Sequence, residues 1–198
     1  MIPVPNPIDE PKDFDRKCRK KGLAWLAKNP DAKRPNSYWR AFNSDLRKGF
    51  SERCAFQGLH ITSGTVDHYE SWHKNKSLAY EWSNFRYVEG WLNSAKTNKS
   101  VEGLVDPFEN CDDWFEISLP SLQMIVSEDI PPENKVRAER TLTEFCLRDD
   151  ERAIQTRRSY MKMYEEGKLT LEGLDEWFPL LAKAIRKRDD EAAAGRGR

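Results

Sequence analysis

The stretch from Cys54 to Lys96 constrains the fold of this chain more than any other. It holds all three histidines, His60, His68 and His73, together with two runs of strand composition, TVDHY and NFRYV. A loop rich in polar and aromatic residues separates these runs. Upstream, CAF, the turn-prone Gly58, LHIT and Ser63-Gly64 predict a hairpin between Cys54 and Asp67. From Gly90 to Asn98 the length and composition become those of a short helix. Strand, strand, loop, strand and helix in so short a span is an unusual order for a purely structural module.

The flanks read as mainly helical. Residues 1–13 carry 4 prolines and predict an extended arm. The basic segment RKCRKKGLAWLAKNP follows, and Gly22 predicts its division into two short helical pieces with Leu23, Trp25 and Leu26 inward. Ser37 reads as the N-cap of YWRAFNSDLRKGF, in which Tyr38, Phe42, Leu46 and Phe50 recur at helical spacing and Gly49 terminates. After an acidic connector, WFEISL alternates like a strand. Helices are then predicted from Pro131-Pro132 to Arg148, with Val136, Leu142, Phe145 and Cys146 inward, and from Asp150 to Glu166. A last helix follows Thr170, and the tail beyond Arg188 is expected to fray. The organisation expected is an N-terminal arm and basic flank (1–53), a core (54–99), an acidic connector with C-terminal helices (100–190) and a disordered tail (191–198). The fold class is α+β.

A charged fraction of 33% and a hydrophobic fraction of 38% suit a soluble globular protein, and 7 tryptophans argue against disorder. No apolar run approaches the roughly 20 residues that span a bilayer, and the first residues lack a secretory signal pattern. No membrane association and a cytoplasmic location are therefore expected. The cysteines, Cys18, Cys54, Cys111 and Cys146, are scattered without a CxxC pair, which favours free, mostly buried thiols. The formal net charge is zero, yet basic residues outnumber acidic ones more than two to one between Lys12 and Arg53. Between Ser100 and Asn134 there is no Lys or Arg at all. Such asymmetry is compatible with a positive face able to meet phosphates, and equally with two solvated faces of opposite sign.

Hydrolysis of a phosphodiester needs an activated water and a way to neutralise the phosphate and leaving oxygen. A histidine is a suitable base near neutral pH, because its ordinary pKa is about 6.5. A carboxylate and an amide oxygen suit a hard divalent cation. Successive strand residues face opposite ways, so a distorted or terminal Asp67-His68 pair can aim one side chain at a metal and the other at water. Asn93, in the following helix, offers a second oxygen. Lys96, three residues on, shares its face and is a candidate to hold a phosphate. Arg86 and His73 are further phosphate candidates, with a salt bridge and an exposed loop position as their alternatives.

The segment TVDHY…YEWSNFRYV…LNSAK resembles the HNH endonuclease family, whose ββα-metal finger carries a DH pair, a central Asn and a final His or Asn in its helix. The resemblance covers about a quarter of the chain. It implies an HNH finger embedded in a mainly helical domain and an enzyme that hydrolyses DNA with Mg²⁺, or Mn²⁺ in its place. It implies His68 as general base, Asp67 and Asn93 as metal ligands, and Asn84 as the residue that fixes the loop and holds the base. It further suggests an effector subunit of a prokaryotic antiviral defence or mobile-element system, controlled by a protein partner such as an ATPase. Many relatives staple the finger with zinc between two CxxC pairs. Here Cys54, Gln57, Glu89 and Leu92 occupy those places, so no structural zinc is expected and packing by Trp82, Phe85, Tyr87 and Trp91 must replace it. The competing class of function is a non-catalytic nucleic-acid-binding or protein-interaction module that keeps the finger as a scaffold, and a nuclease acting on RNA is a third.

Overall fold

The computed structural model describes residues 8–96, 99–109, 111 and 113–196. The chain divides into two compact units: Val4–Ala55 with Ile61–Glu102, and Phe56–His60 with Gly103–Arg198. The proline-bearing arm expected at the start lies, up to residue 7, outside the described residues.

In the first unit a π-helical turn, Asp15–Arg19, runs directly into helix α1 (Lys20–Lys28). Gly22 was expected to divide this segment and does not. It is buried, and a Cβ at that position would lie 2.4 Å from the Tyr80 ring. The glycine therefore serves close approach rather than a break. The next helical segment begins as a 3-10 turn, Tyr38–Phe42, and continues as α2 (Asn43–Gly49); Ser37 makes no capping hydrogen bond. Phe42, Leu46 and Phe50 are buried along it, as their spacing predicts.

Strand β1 (Thr65–His68) pairs antiparallel with β2 (Phe85–Val88), with Asp67 opposite Arg86 and His68 opposite Phe85. Helix α3 (Gly90–Lys96) packs on β1, completing a ββα arrangement. The expected upstream hairpin is absent: CAF and LHIT form no strand. Ala55 N–H donates to the Tyr87 carbonyl (2.8 Å), and Phe56–His60 belongs to the other unit. Their apolar pattern reflects burial in irregular chain, which periodicity cannot distinguish from a short strand.

Aromatic packing braces the ββα unit. Phe14, fully buried, meets Phe42 and Trp82 edge-on at 5.1 Å and Phe85 at 5.9 Å. Each such pair contributes about 0.5–1.5 kcal/mol beyond area burial. The Trp82 indole N–H donates to the Ile8 carbonyl at 3.0 Å, which ties the N-terminal segment to the same cluster.

The second unit contains β3 (Phe115–Ile117) paired antiparallel with β4 (Met124–Val126), then α4 (Pro132–Glu144), α5 (Glu151–Glu165), α6 (Leu171–Trp177) and α7 (Pro179–Arg196). The expected WFEISL strand is β3, whereas β4 has no clear alternation and was not anticipated. Asp150 and Thr170 cap α5 and α6, accepting from the N–H groups of Arg152 and Gly173. The expected last helix is two: Pro179 has no N–H and restricts Phe178, whose φ of −147° leaves the helical region. The tail expected to fray is helical to Arg196, where Ala192, Ala193 and Ala194 favour that conformation. Val136, expected inward, is 69% exposed on α4. The acidic connector is not a free anionic face either, because Glu109 pairs with Arg137, Asp113 with Lys183 and Glu116 with Lys187.

The four cysteines are free, three of them buried, and burial pushes the Cys18 thiol up to about 12. Among the described residues no helix is long and apolar enough to cross a membrane.

The close approach at Gly22 gives a direct test. Gly22→Ala gains helix propensity but drives a methyl group into a packed ring, so a net loss of about 1–3 kcal/mol is expected in urea unfolding. Unchanged stability would show that Tyr80 can yield.

Candidate active site

Four sequence elements converge on one cleft of about 800 Å³ in the first unit: β1, Asn93 of α3, the segment from Lys33 to Asn43, and the Ser71–His73 loop. Gly64 leads the chain into β1 with its backbone so close to Tyr87 that a Cβ would lie 2.4 Å from that ring. Asp67, His68 and Asn93 all line the cleft, and His73 lies at it.

His68 is held from three sides. Its Nε2 lies 2.9 Å from the Ala79 carbonyl, and a carbonyl only accepts, so Nε2 carries the proton and Nδ1 the lone pair. Trp39 contacts the ring edge-on at 4.7 Å and Phe85 at 5.1 Å. Burial pushes the imidazole pKa below its ordinary 6.5; the Ala79 carbonyl and Asp67 act the other way, and Lys96 adds to the lowering. At neutral pH the ring is therefore a neutral, oriented base.

Asn84 lies beneath the cleft, 6% exposed. Its Oδ1 accepts from Glu70 N–H at 2.8 Å, and its Nδ2 donates to the carbonyls of Glu70 (2.9 Å) and Leu78 (3.2 Å). These bonds clamp both ends of the loop whose Ala79 carbonyl orients His68. Asn93, which lines the cleft, donates from Nδ2 to the Val66 carbonyl at 3.1 Å, which leaves its Oδ1 as an available acceptor.

Asp67 is 2% exposed, and both its oxygens accept from Lys96 Nζ, at 3.1 and 2.9 Å. Lys96, 1% exposed, also donates to the carbonyls of His68 (2.6 Å) and Tyr69 (2.8 Å). Its expected role at a phosphate is corrected: the ammonium is turned inward and surrounded by oxygens. Arg86 is corrected likewise. It is 2% exposed, donates to the carbonyls of Ser83 and Phe85, and lies over the Tyr69 ring. His73 is exposed and stacks on Trp72 with ring centroids 4.0 Å apart. His60 belongs to the other unit, where its ring packs on Trp177.

Asp67 and Asn93 offer one carboxylate and one amide oxygen, a donor set that suits Mg²⁺ or Mn²⁺ completed by water and phosphate. An ionised carboxylate has about four acceptor positions, so the Lys96 bonds leave lone pairs on Asp67 for a cation. Among the described residues no three His, Cys, Asp or Glu side chains are grouped to hold a metal.

The sequence reading missed Trp39 and three cleft-lining cations, Lys33, Arg34 and Arg40. The basic excess between Lys12 and Arg53 contained them without distinguishing them from neighbours. In the fold several of those neighbours are paired: Arg16 and Lys17 with Asp13, Lys20 with Asp15, Arg47 with Glu52, and Arg19 with Glu10, Asp15 and Glu81. No family model matches the chain, and no curated protein matches it.

Two measurements follow from this geometry. Asp67→Ala strands a buried ammonium and is expected to cost about 3–5 kcal/mol in urea unfolding, while Asp67→Asn combined with Lys96→Met costs less than the two singles together. An additive double variant would show that the pair is not coupled. For His68, the unfolded state takes up a proton near pH 6.5 and the folded state resists it. Stability present above pH 6.5 is therefore lost as pH falls toward the lower folded pKa, and His68→Gln should flatten that part of the stability profile. An unchanged profile would mean that another group supplies it.

Proposed function

We propose that this chain is a metal-dependent endonuclease of the HNH type that hydrolyses DNA phosphodiester bonds. The observation that carries the reading is His68: its proton is fixed on Nε2 by the Ala79 carbonyl, and its ring shares one cleft with the Asp67 carboxylate and the Asn93 amide. His68 Nδ1 accepts a proton from a water molecule as that water attacks phosphorus. The bond from phosphorus to the 3′-oxygen breaks, and the leaving oxygen takes a proton from solvent, giving 5′-phosphate and 3′-hydroxyl ends. Asn84 keeps the base in place through the loop that presents Ala79, and Trp39 and Phe85 fix its plane. A divalent cation of the Mg²⁺ or Mn²⁺ type, held by Asp67 and Asn93, supplies charge neutralisation at the phosphate and leaving oxygen when bound.

The reading extends to an effector subunit of a prokaryotic defence or mobile-element system whose cutting depends on a protein partner such as an ATPase. The zero formal net charge supports dependence on a partner for firm engagement of DNA. One observation favours the alternative of a binding module without catalysis: both Asp67 oxygens are already bonded by Lys96.

Plasmid cleavage by the purified chain in Mg²⁺ or Mn²⁺ separates the two. Wild type is expected to nick or linearise the plasmid, and His68→Ala to lose about 10²–10⁴-fold in rate. Asn93→Ala is also expected to be slowed. Cleavage that survives His68→Ala removes the proposed base, and activity in EDTA removes the metal. Plasmid that is bound but uncut, alone and with a partner, establishes the binding module.

A further inference from the structure

We infer that Lys33, Arg34 and Arg40 hold backbone phosphates of a polynucleotide whose scissile phosphate is presented to His68. This rests on the nuclease reading and assigns it a substrate track.

All three side chains are exposed and line the cleft that contains His68. None has an ion-pair or side-chain hydrogen-bond partner among the described residues, whereas Arg16, Lys17, Arg19, Lys20 and Arg47 are ion-paired. Among the described residues the only carboxylate lining the cleft is Asp67, and Lys96 neutralises it. The cleft is therefore a local positive field on a chain whose formal net charge is zero, the arrangement that draws a polyanion to one place.

The segment is also held at a fixed offset from the base. Pro35 restricts φ next to Arg34. The Asn36 carbonyl accepts from the Tyr80 hydroxyl at 2.9 Å. Trp39, beside Arg40, packs against both His68 and Tyr80. A strand engaged by these cations is thus registered against the imidazole by the same aromatic contacts that orient the imidazole itself. Mobile surface lysines supply attraction without register; here the backbone between the cations is anchored, so phosphate binding and positioning are linked.

The test is fluorescence anisotropy of a labelled DNA duplex with the full chain in EDTA, titrated at several KCl concentrations, with RNA of the same sequence as a second arm. Each phosphate neutralised contributes roughly 0.9 to the slope of log affinity against log salt on duplex DNA. The Lys33→Ala/Arg34→Ala/Arg40→Ala variant is expected to show a slope shallower by roughly 2–3 and affinity at low salt reduced about tenfold or more. The charge-preserving Lys33→Arg/Arg34→Lys/Arg40→Lys variant should retain the wild-type slope. A control removing Lys135, Arg158 and Lys168, exposed cations of the other unit, should leave the slope unchanged. An unchanged slope in the cleft variant, or an equal fall in the control, overturns the assignment. A slope change on both polymers supports recognition of the shared backbone, and a change on one alone supports the track and names the polymer. Because binding is read without cleavage, the result stands apart from the plasmid test of His68.

Discussion

The buried contact between Lys96 and Asp67 is the interaction on which the ββα unit depends. Two charges withdrawn from water are stable only if their remaining hydrogen-bonding positions are filled. Lys96 meets that condition with both carboxylate oxygens and two backbone carbonyls of the chain leaving β1. The ammonium thereby fixes the end of α3 against the residues where the strand stops. In doing so it holds the end of the strand that carries His68. The ββα unit is held by this ion pair inside and by an aromatic cluster around Phe14.

The aromatic rings near the site serve the unit and the site together. Phe85 contacts Phe14 on the core side and His68 on the cleft side. Trp39 is shared between His68 and Tyr80. The packing that stabilises the unit and the packing that orients the imidazole therefore share rings. A core substitution here changes the site as well as the stability.

The candidate chemistry was legible in the sequence where it is local. Asp67-His68, Asn84 and Asn93 are separated by short stretches, and β1, β2 and α3 carry strand and helix composition. The orientation of long side chains was not legible. Lys96 and Arg86 look like phosphate ligands in a linear reading, and only the packing shows that both are enclosed. Conversely, nothing in the sequence around Lys33, Arg34 and Arg40 sets them apart from the other basic residues, and their freedom follows from where carboxylates happen to fold. Apolar residues in Cys54–Ile61 imitate a hairpin because burial in irregular chain leaves the same mark as burial in a sheet. Gly22 misled in the opposite way, since a helix breaker and a close-packing glycine are identical in sequence.

Phe56–His60 has a consequence for how the protein can be divided. These five residues lie between two parts of the first unit in sequence but belong to the second. The second unit is therefore discontinuous along the chain, and no single cut yields both units whole. A fragment ending near residue 102 would retain the cleft but carry Phe56 and Leu59, residues that are 0% and 1% exposed in the intact chain, without the unit that buries them. Such a piece would present apolar surface to water and be prone to associate with itself. The two units are thus covalently interleaved, and the helical one is a condition for a soluble cleft rather than a detachable appendage.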